Sequence, residues 1–144
     1  MRARGGQETW TSISDVGTKF GGIELTRDEY IRVEDLYIAA VMLFARTAGA
    51  SDFVLTYVGD TSSAFDLTTS QVVSAADVPS LIRGALREEV DCALESAERE
   101  FQIEFGFDLY IHFAAADPCV RAVEEVEAGE LFLERGVPLV LWED

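Results

Sequence analysis

The first clear pattern in the chain is a run of apolar residues at helical spacing between residues 26 and 47. Its members are Tyr30, Val33, Tyr37, Ala40, Val41 and Phe44. Their recurrence at every third or fourth position is typical of one face of a helix. Thr26 and Glu29 stand three residues apart ahead of the run and match a capping box. The pattern therefore predicts a helix from Thr26 to about Thr47 that ends near Gly49.

A second amphipathic pattern extends from residue 74 to residue 101. Its apolar positions are Val78, Leu81, Ile82, Ala85, Leu86, Ala93, Leu94, Ala97 and Phe101. Ser74 precedes them as a candidate N-cap, and Asp77 falls in the first turn, where a negative charge suits the helix dipole. The spacing predicts one long helix that ends at about residue 101.

Short runs of β-branched and aromatic residues between these segments predict strands. The runs are residues 53–58, 107–113 and 137–142, with a weaker hairpin pattern at 64–67 and 70–73. Asp117 and Pro118 predict the start of a third helix, which Gly136 would end.

The alternation of strands and helices from residue 53 to residue 142 favours an α/β fold. We expect a small single-layer sheet of about three to five strands, partly parallel through βαβ crossovers and packed with three helices. An antiparallel α+β arrangement stays open as the alternative. We expect residues 1–22, rich in glycine and hydroxyl residues, to form an irregular N-terminal segment, and residues 23–144 to form a single domain.

Negative charge is the strongest compositional feature of the chain. The net charge is −16, with −1 in residues 1–50 and −15 in residues 51–144. Such a surface repels phosphate backbones and anionic lipids, so we expect no direct binding to nucleic acid and no membrane binding. A basic protein would be attracted. GC-rich coding or adaptation to salt would also produce an acidic chain with ten arginines and one lysine, without any function for the charge.

Two groups of carboxylates are candidates for contacting such a partner. The candidate partner-binding residues are Glu88, Asp91, Glu95 and Glu98 on the second predicted helix, and Glu124, Glu127, Glu130 and Glu134 on the third. On a helix the first four residues would form one stripe, because their spacings are three, four and three. A solvated helix face is the alternative interpretation. The pairs Arg87–Asp91 and Glu95–Arg99 would offset part of this charge.

Other chemistry has weaker support in the sequence. His112 and Asp108 would lie on the same side of a strand and could form a catalytic His–carboxylate pair. The chain has no phosphate-binding loop and no nucleophile elbow, and Lys19 is its only lysine. Cys92 and Cys119 fall in two predicted helices without a redox or zinc spacing, so we expect free buried thiols, with a disulfide left open. We predict no metal and no cofactor.

The sequence therefore predicts a small, acidic, non-enzymatic protein-binding module. Its acidic helices would engage a basic partner, as in an inhibitor, an immunity or antitoxin-like protein, or a nucleic-acid mimic. One alternative is a small α/β enzyme that uses His112 and Asp108, and another is a structural or assembly subunit that forms homo-oligomers.

The cytoplasm is the expected compartment. The longest uncharged run that is also predominantly apolar, residues 36–45, has about half the ~20 residues that a membrane crossing needs. The N-terminal arginines are followed by no apolar stretch of the kind found in a secretory signal.

Overall fold

The computed structural model of the protein describes residues 2–3, 12–59, 66–106 and 110–133. Its helices are α1 (Arg27–Thr47), α2 (Val78–Leu86) and α3 (Val120–Ala128), with a short 3-10 helix at Ile13–Asp15. Its strands are β1 (Arg2–Ala3), β2 (Lys19–Phe20), β3 (Ile23–Glu24), β4 (Asp52–Val58), β5 (Val72–Ser74), β6 (Cys92–Ser96), β7 (Phe101–Phe105), β8 (Ile111–Ala115) and β9 (Leu131–Phe132).

The main sheet has five strands in the order β5-β4-β6-β7-β8, and every neighbouring pair is antiparallel. The pairs β1–β9 and β2–β3 are also antiparallel. The prediction of a partly parallel α/β sheet with βαβ crossovers is therefore wrong. The error comes from the long helix predicted over residues 74–101. Such a helix would connect two strands as a crossover, and strands joined in this way are parallel. Residues 92–105 instead form a hairpin of two adjacent strands.

Helix α1 begins where the capping pattern predicts. The hydroxyl of Thr26 accepts a hydrogen bond of 3.1 Å from the backbone N–H of Glu29. The helix ends at Thr47, and Gly49 follows with a φ of 80°, a left-handed conformation that glycine adopts without strain. The predicted stripe is buried in the core: Tyr30, Val33, Tyr37, Ala40, Val41 and Phe44.

The long helix predicted over residues 74–101 does not form. Only α2, nine residues long, is helical there. Glu88 ends it in a left-handed conformation with a φ of 60°, and the N–H of Glu89 donates to the carbonyl of Gly84 at 2.9 Å. This is the hydrogen-bond pattern that closes helices at glycine. Because the left-handed residue here is a glutamate, no glycine marks the end of the helix in the sequence.

The turn between β6 and β7 lacks glycine in the same way. Arg99 adopts a φ of 59°, and the hydroxyl of Ser96 accepts hydrogen bonds from the N–H groups of Glu100 and Phe101 at 2.8 and 3.0 Å. The buried serine thus satisfies two backbone donors that the turn would otherwise leave without partners.

Helix α1 lies centrally among the packed elements. It contacts both α2 and α3, and its Phe44 ring lies 4.5 Å from the ring of Phe113 on β8. The face of the sheet toward this core carries large buried side chains, including Phe53, Leu55, Leu94, Phe101 and Ile103. Alternation along β4, β6 and β7 places these residues on one face, as the period of two requires.

Helix α3 is shorter than predicted. It ends at Ala128 and is followed by β9, so it does not extend to Gly136. The strand predicted at residues 137–142 lies outside the described residues, as do residues 64–65 of the weaker hairpin pattern and residues 107–109 at the start of the second predicted strand. The described part of the chain contains no helix with the length and apolar character that spanning a membrane requires.

The left-handed conformation of Glu88 leads to a stability prediction. Replacing Glu88 by glycine should raise the free energy of unfolding by about 1 kcal/mol, because glycine adopts a positive φ without the steric cost of a Cβ. Urea unfolding followed by circular dichroism measures the change.

The matched control is Glu89→Gly, at a neighbouring residue that does not have a positive φ. This change should lower stability by about 0.5–1 kcal/mol, because glycine adds conformational freedom only to the unfolded chain. Destabilisation by both substitutions would contradict the role assigned to Glu88.

Candidate interaction surface

The first predicted acidic group does not form a stripe, because its residues do not share a helix. Glu88 lies in the turn after α2, and Asp91 lies immediately before β6. Glu98 lies in the turn after β6, at the other end of the sheet. Glu95, between them on β6, has a side chain only 14% exposed and pairs with Arg99 at 2.8 Å.

The second predicted acidic group is partly on α3. Glu124 and Glu127 are exposed on this helix. Glu130 follows the helix and forms an ion pair of 2.7 Å with Arg32 of α1. Glu134 lies outside the described residues.

A different set of carboxylates gathers at one end of the main sheet. These residues, which we call the acidic end, are Asp52, Asp77, Glu98, Glu100 and Asp117, and all five are exposed. All five lie at the same end of the strands. β4 begins at Asp52, and Asp77 follows β5. The turn between β6 and β7 holds Glu98 and Glu100, and β8 ends shortly before Asp117.

Backbone hydrogen bonds link the segments of the acidic end across the sheet. Ala97 donates to the carbonyl of Asp52, and Ala116 donates to the carbonyl of Glu100, each at 2.9 Å. Asp77 donates to the carbonyl of Ser74, which is the strand partner of Asp52. The acidic end therefore spans all five strands, which corresponds to four strand intervals or about 19 Å.

A small pocket of about 60 Å³ lies within the acidic end, lined by residues 49–52, 96–98 and Glu100. Within the parts of the chain that the structure describes, no group of three or more His, Cys, Asp or Glu side chains is arranged to hold a metal ion. The acidic end is thus a charged surface rather than a deep cavity.

Two arginines from the acidic part of the sequence, Arg83 and Arg87, bind a buried carboxylate that is not part of the acidic end. Glu34 of α1 is fully buried, and Arg87 donates to it through Nε and Nη2 at 2.9 and 2.8 Å. Arg83 donates to the same carboxylate through Nη1 and to Asp35 through Nη2 at 2.6 Å. We call these four residues the Glu34 cluster.

The Glu34 cluster changes the charge balance that the sequence suggests. Arg87 pairs with Glu34 of α1, so the predicted helical pair of Arg87 with Asp91 does not form. Asp91 instead accepts a hydrogen bond of 3.3 Å from the hydroxyl of Tyr57. The predicted pair of Glu95 with Arg99 does form, but across the end of a strand and a turn.

The Glu34 cluster also contacts an aromatic residue, Tyr30, and affects its pKa. The guanidinium of Arg87 lies 5.9 Å from the centre of the Tyr30 ring, a cation–π contact. Burial, together with the Glu34 carboxylate, raises the pKa of Tyr30 well above its usual value. Hydrogen bonding to Glu34 raises the pKa of Arg87. Both groups therefore keep their protons at neutral pH.

Of the predicted catalytic pair, His112 lies within the described part of the chain. His112 lies exposed on β8, with its ring 4.8 Å from the ring of Tyr110 and with Glu104 as its partner residue on β7. Asp108 lies outside the described residues.

The two cysteines are free and buried. Cys92 lies on β6 and Cys119 lies at the N-cap of α3. The prediction that both cysteines fall inside helices is therefore wrong. Burial raises the pKa of the Cys92 thiol to about 12, and it also raises the pKa of Cys119.

Comparison with protein-family models, with curated proteins and with solved structures gives no match to this chain.

Removing the buried carboxylate should destabilise the fold strongly. Glu34→Ala leaves Arg87, whose side chain is only 15% exposed, without its anion, and loss of one partner from a buried pair costs about 3–5 kcal/mol. Urea unfolding measures the loss. In the control Asp35→Ala, the lost carboxylate is 57% exposed, and the expected loss is about 1 kcal/mol or less.

A second variant separates the lost ion pair from the charge left behind. Glu34→Leu combined with Arg87→Met should recover much of the stability lost in Glu34→Ala, because no buried charge is then left alone. A double variant less stable than Glu34→Ala would contradict this account of the cluster.

The buried thiols should be inert in the folded protein. A thiol-specific reagent such as dithiobis(nitrobenzoate) at about pH 8 should modify neither Cys92 nor Cys119 before unfolding and both after it, because thiolate is the reactive form and both pKa values are raised. Finding no reactive thiol after unfolding without reductant would indicate a disulfide and contradict the free state.

Proposed function

We propose that the protein is a non-enzymatic binding module that engages a basic protein through its acidic end. The single observation that supports this most strongly is the convergence of Asp52, Asp77, Glu98, Glu100 and Asp117 on one end of the sheet. These carboxylates come from four separate stretches of the chain, and the antiparallel topology brings them together.

Three arginines of the neighbouring elements are paired with carboxylates outside the acidic end, whereas Arg46 at the end of α1 and Arg121 on α3 are exposed. Arg83 and Arg87 are held by Glu34 and Asp35. Arg99 lies in the turn itself but is paired with Glu95. Carboxylates about 5 Å apart repel one another by about 0.8 kcal/mol in bulk water. A cationic partner relieves this repulsion, which supports binding to a basic protein.

Helix α3 carries two exposed carboxylates of the second predicted group, Glu124 and Glu127, and one exposed cation, Arg121, lies between them and Asp117 in the sequence. These two glutamates and Glu98 are the candidates from the sequence that fit the proposed surface. Glu88 and Asp91 lie at the opposite end of β6, and Glu95 is half-buried. We therefore assign the interaction to the acidic end and the outer side of α3.

Inhibitors, immunity or antitoxin-like proteins and nucleic-acid mimics all use such a surface against basic partners. The inhibitor, immunity or antitoxin-like and nucleic-acid-mimic types share this feature, and the proposal covers all of them. The cytoplasm is the compartment in which we expect the interaction.

The experiment maps where a cation binds. A lysine-rich peptide is titrated into the isotope-labelled protein, and backbone amide shifts are followed by NMR. The shifts should concentrate at residues 50–52, 76–77, 97–100, 116–117 and 124–127. Raising the ionic strength from about 0.01 M to about 0.15 M should weaken binding, because the Debye length falls from about 30 Å to about 8 Å.

Two variants with the same net charge provide the control. Glu98→Gln with Glu100→Gln should weaken peptide binding, whereas Glu88→Gln with Glu89→Gln, at the other end of the molecule, should leave most of it. Equal losses in the two variants, or shifts spread evenly over both ends, would show that the charge is not organised for binding and would refute the proposal.

The same pair of variants identifies the natural partner. Cross-linking in extracts of the source cell should recover a basic protein with the unmodified chain and with the Glu88/Glu89 variant, but not with the Glu98/Glu100 variant. A partner that is lost equally from both variants would count against the acidic end.

A further inference from the structure

A groove of about 280 Å³ runs between α1 and α3. Its lining residues include Leu36, Ala39, Leu43 and Arg46 of α1, Glu125 of α3 and Leu131 of β9. Most of these residues are apolar or small. The groove lies outside the acidic end and has no role in the function proposed above.

Helix α1 has apolar residues on two sides. One side is buried in the core, with Tyr37, Val41 and Phe44 at most 3% exposed. The other side carries Leu36 and Leu43, which are only partly buried, and Ala39, which is exposed. Alanine at this position and the absence of a side chain at Gly129 keep the groove open. A helix that needed only to cover the core would carry polar residues on the second side.

The borders of the groove are charged, and α3 makes them negative. Glu125 and Glu130 line the groove itself, and Glu124 and Glu127 stand exposed on the same helix. Arg32 pairs with Glu130 at 2.7 Å. Glu124, Glu125 and Glu127 together with the one cation Arg121 give α3 a net charge of −2. Arg46 is the cation among the lining residues, on the α1 side. An apolar centre with a charged rim is the usual anatomy of a protein interface.

The length and the walls of the groove favour a helix as its occupant. From Leu36 to Arg46 the groove follows about ten residues of α1, or about 15 Å. Apolar anchors at i, i+4 and i+7 of a docked helix span about 10.5 Å, which fits this length. Seven of the ten lining residues lie on α1 and α3, whose backbone groups are already bonded internally, and Leu131 of β9 is the one lining residue on a strand. The groove therefore favours side-chain anchors of a helix over strand pairing.

We propose that the α1–α3 groove receives the apolar face of an amphipathic basic helix that belongs to the partner. This inference rests on the proposed function and adds to it the apolar anchor point of the interaction. Lysine or arginine residues flanking the apolar face lie against Glu124, Glu125 and Glu127. The apolar side chains fill the space between Leu36, Leu43 and Leu131.

Two synthetic peptides of the same composition test the proposal. One places leucines at i, i+4 and i+7 among lysines, and the other distributes the same leucines so that no helical face is apolar. Calorimetric titration at about 0.15 M ionic strength should show at least about tenfold tighter binding of the first peptide, because a buried apolar anchor contributes at the level of an interface hot spot.

Ala39→Trp should reduce that preference to near unity, since the indole fills the groove. Ser80→Trp, at an exposed position of α2, is the matched control and should keep the preference. Circular dichroism and thermal unfolding verify that both variants are folded. Leu43→Asp, which places a charge in the groove, provides a second variant if the indole disturbs α1.

The outcomes separate this inference from the proposed function. Equal binding of the two peptides, with shifts at the acidic end, would overturn the groove and leave the acidic end standing. Failure of both peptides to bind would refute both proposals. Dimerisation of the unmodified chain in sedimentation experiments, abolished by Ala39→Trp, would assign the groove to a second copy and overturn the partner helix.

Discussion

The buried carboxylate of Glu34 is the constraint on which the surface of this protein depends. A charge that is fully removed from water must be paired and hydrogen-bonded, and both oxygens of Glu34 are bound by Arg83 and Arg87. This fixes α2 against α1. It also consumes two of the five arginines beyond residue 50. The same interaction that joins the helices therefore leaves the carboxylates of the surface with fewer cations.

The parts of the fold that the sequence predicts are those with explicit boundary residues. Helix α1 has a capping threonine, a regular apolar stripe and a glycine after its end, and it forms as predicted. The boundary of α2 and the β6–β7 turn depend on Glu88 and Arg99 in left-handed conformations. These residue types give no local indication of a turn. Leu94 and Phe101 also fit a helical period by coincidence. The predicted helix therefore replaced the β6–β7 hairpin, and the strands on either side of it were predicted to be parallel.

The same error determined which candidate residues were found. On a helix, Glu88 and Glu98 would lie on one stripe, whereas on a strand with flanking turns they lie at opposite ends of the sheet. The acidic end joins Asp52 and Asp117, which are 65 positions apart in the sequence. Such a set follows from sheet topology, because alternate turns of an antiparallel sheet lie at the same end of its strands. The sequence could show an acidic half of the chain, but not this grouping.

The acidic end and the α1–α3 groove would contribute different parts of a binding reaction. Exposed carboxylates guide a cationic partner and raise the association rate, but in water and salt each pair adds little affinity. Affinity at an interface comes mainly from a few apolar anchors in desolvated pockets. The groove supplies such a place beside α3, whose three glutamates outnumber its one cation, Arg121. A partner steered to the acidic end would thus meet an apolar site within reach of the same helix.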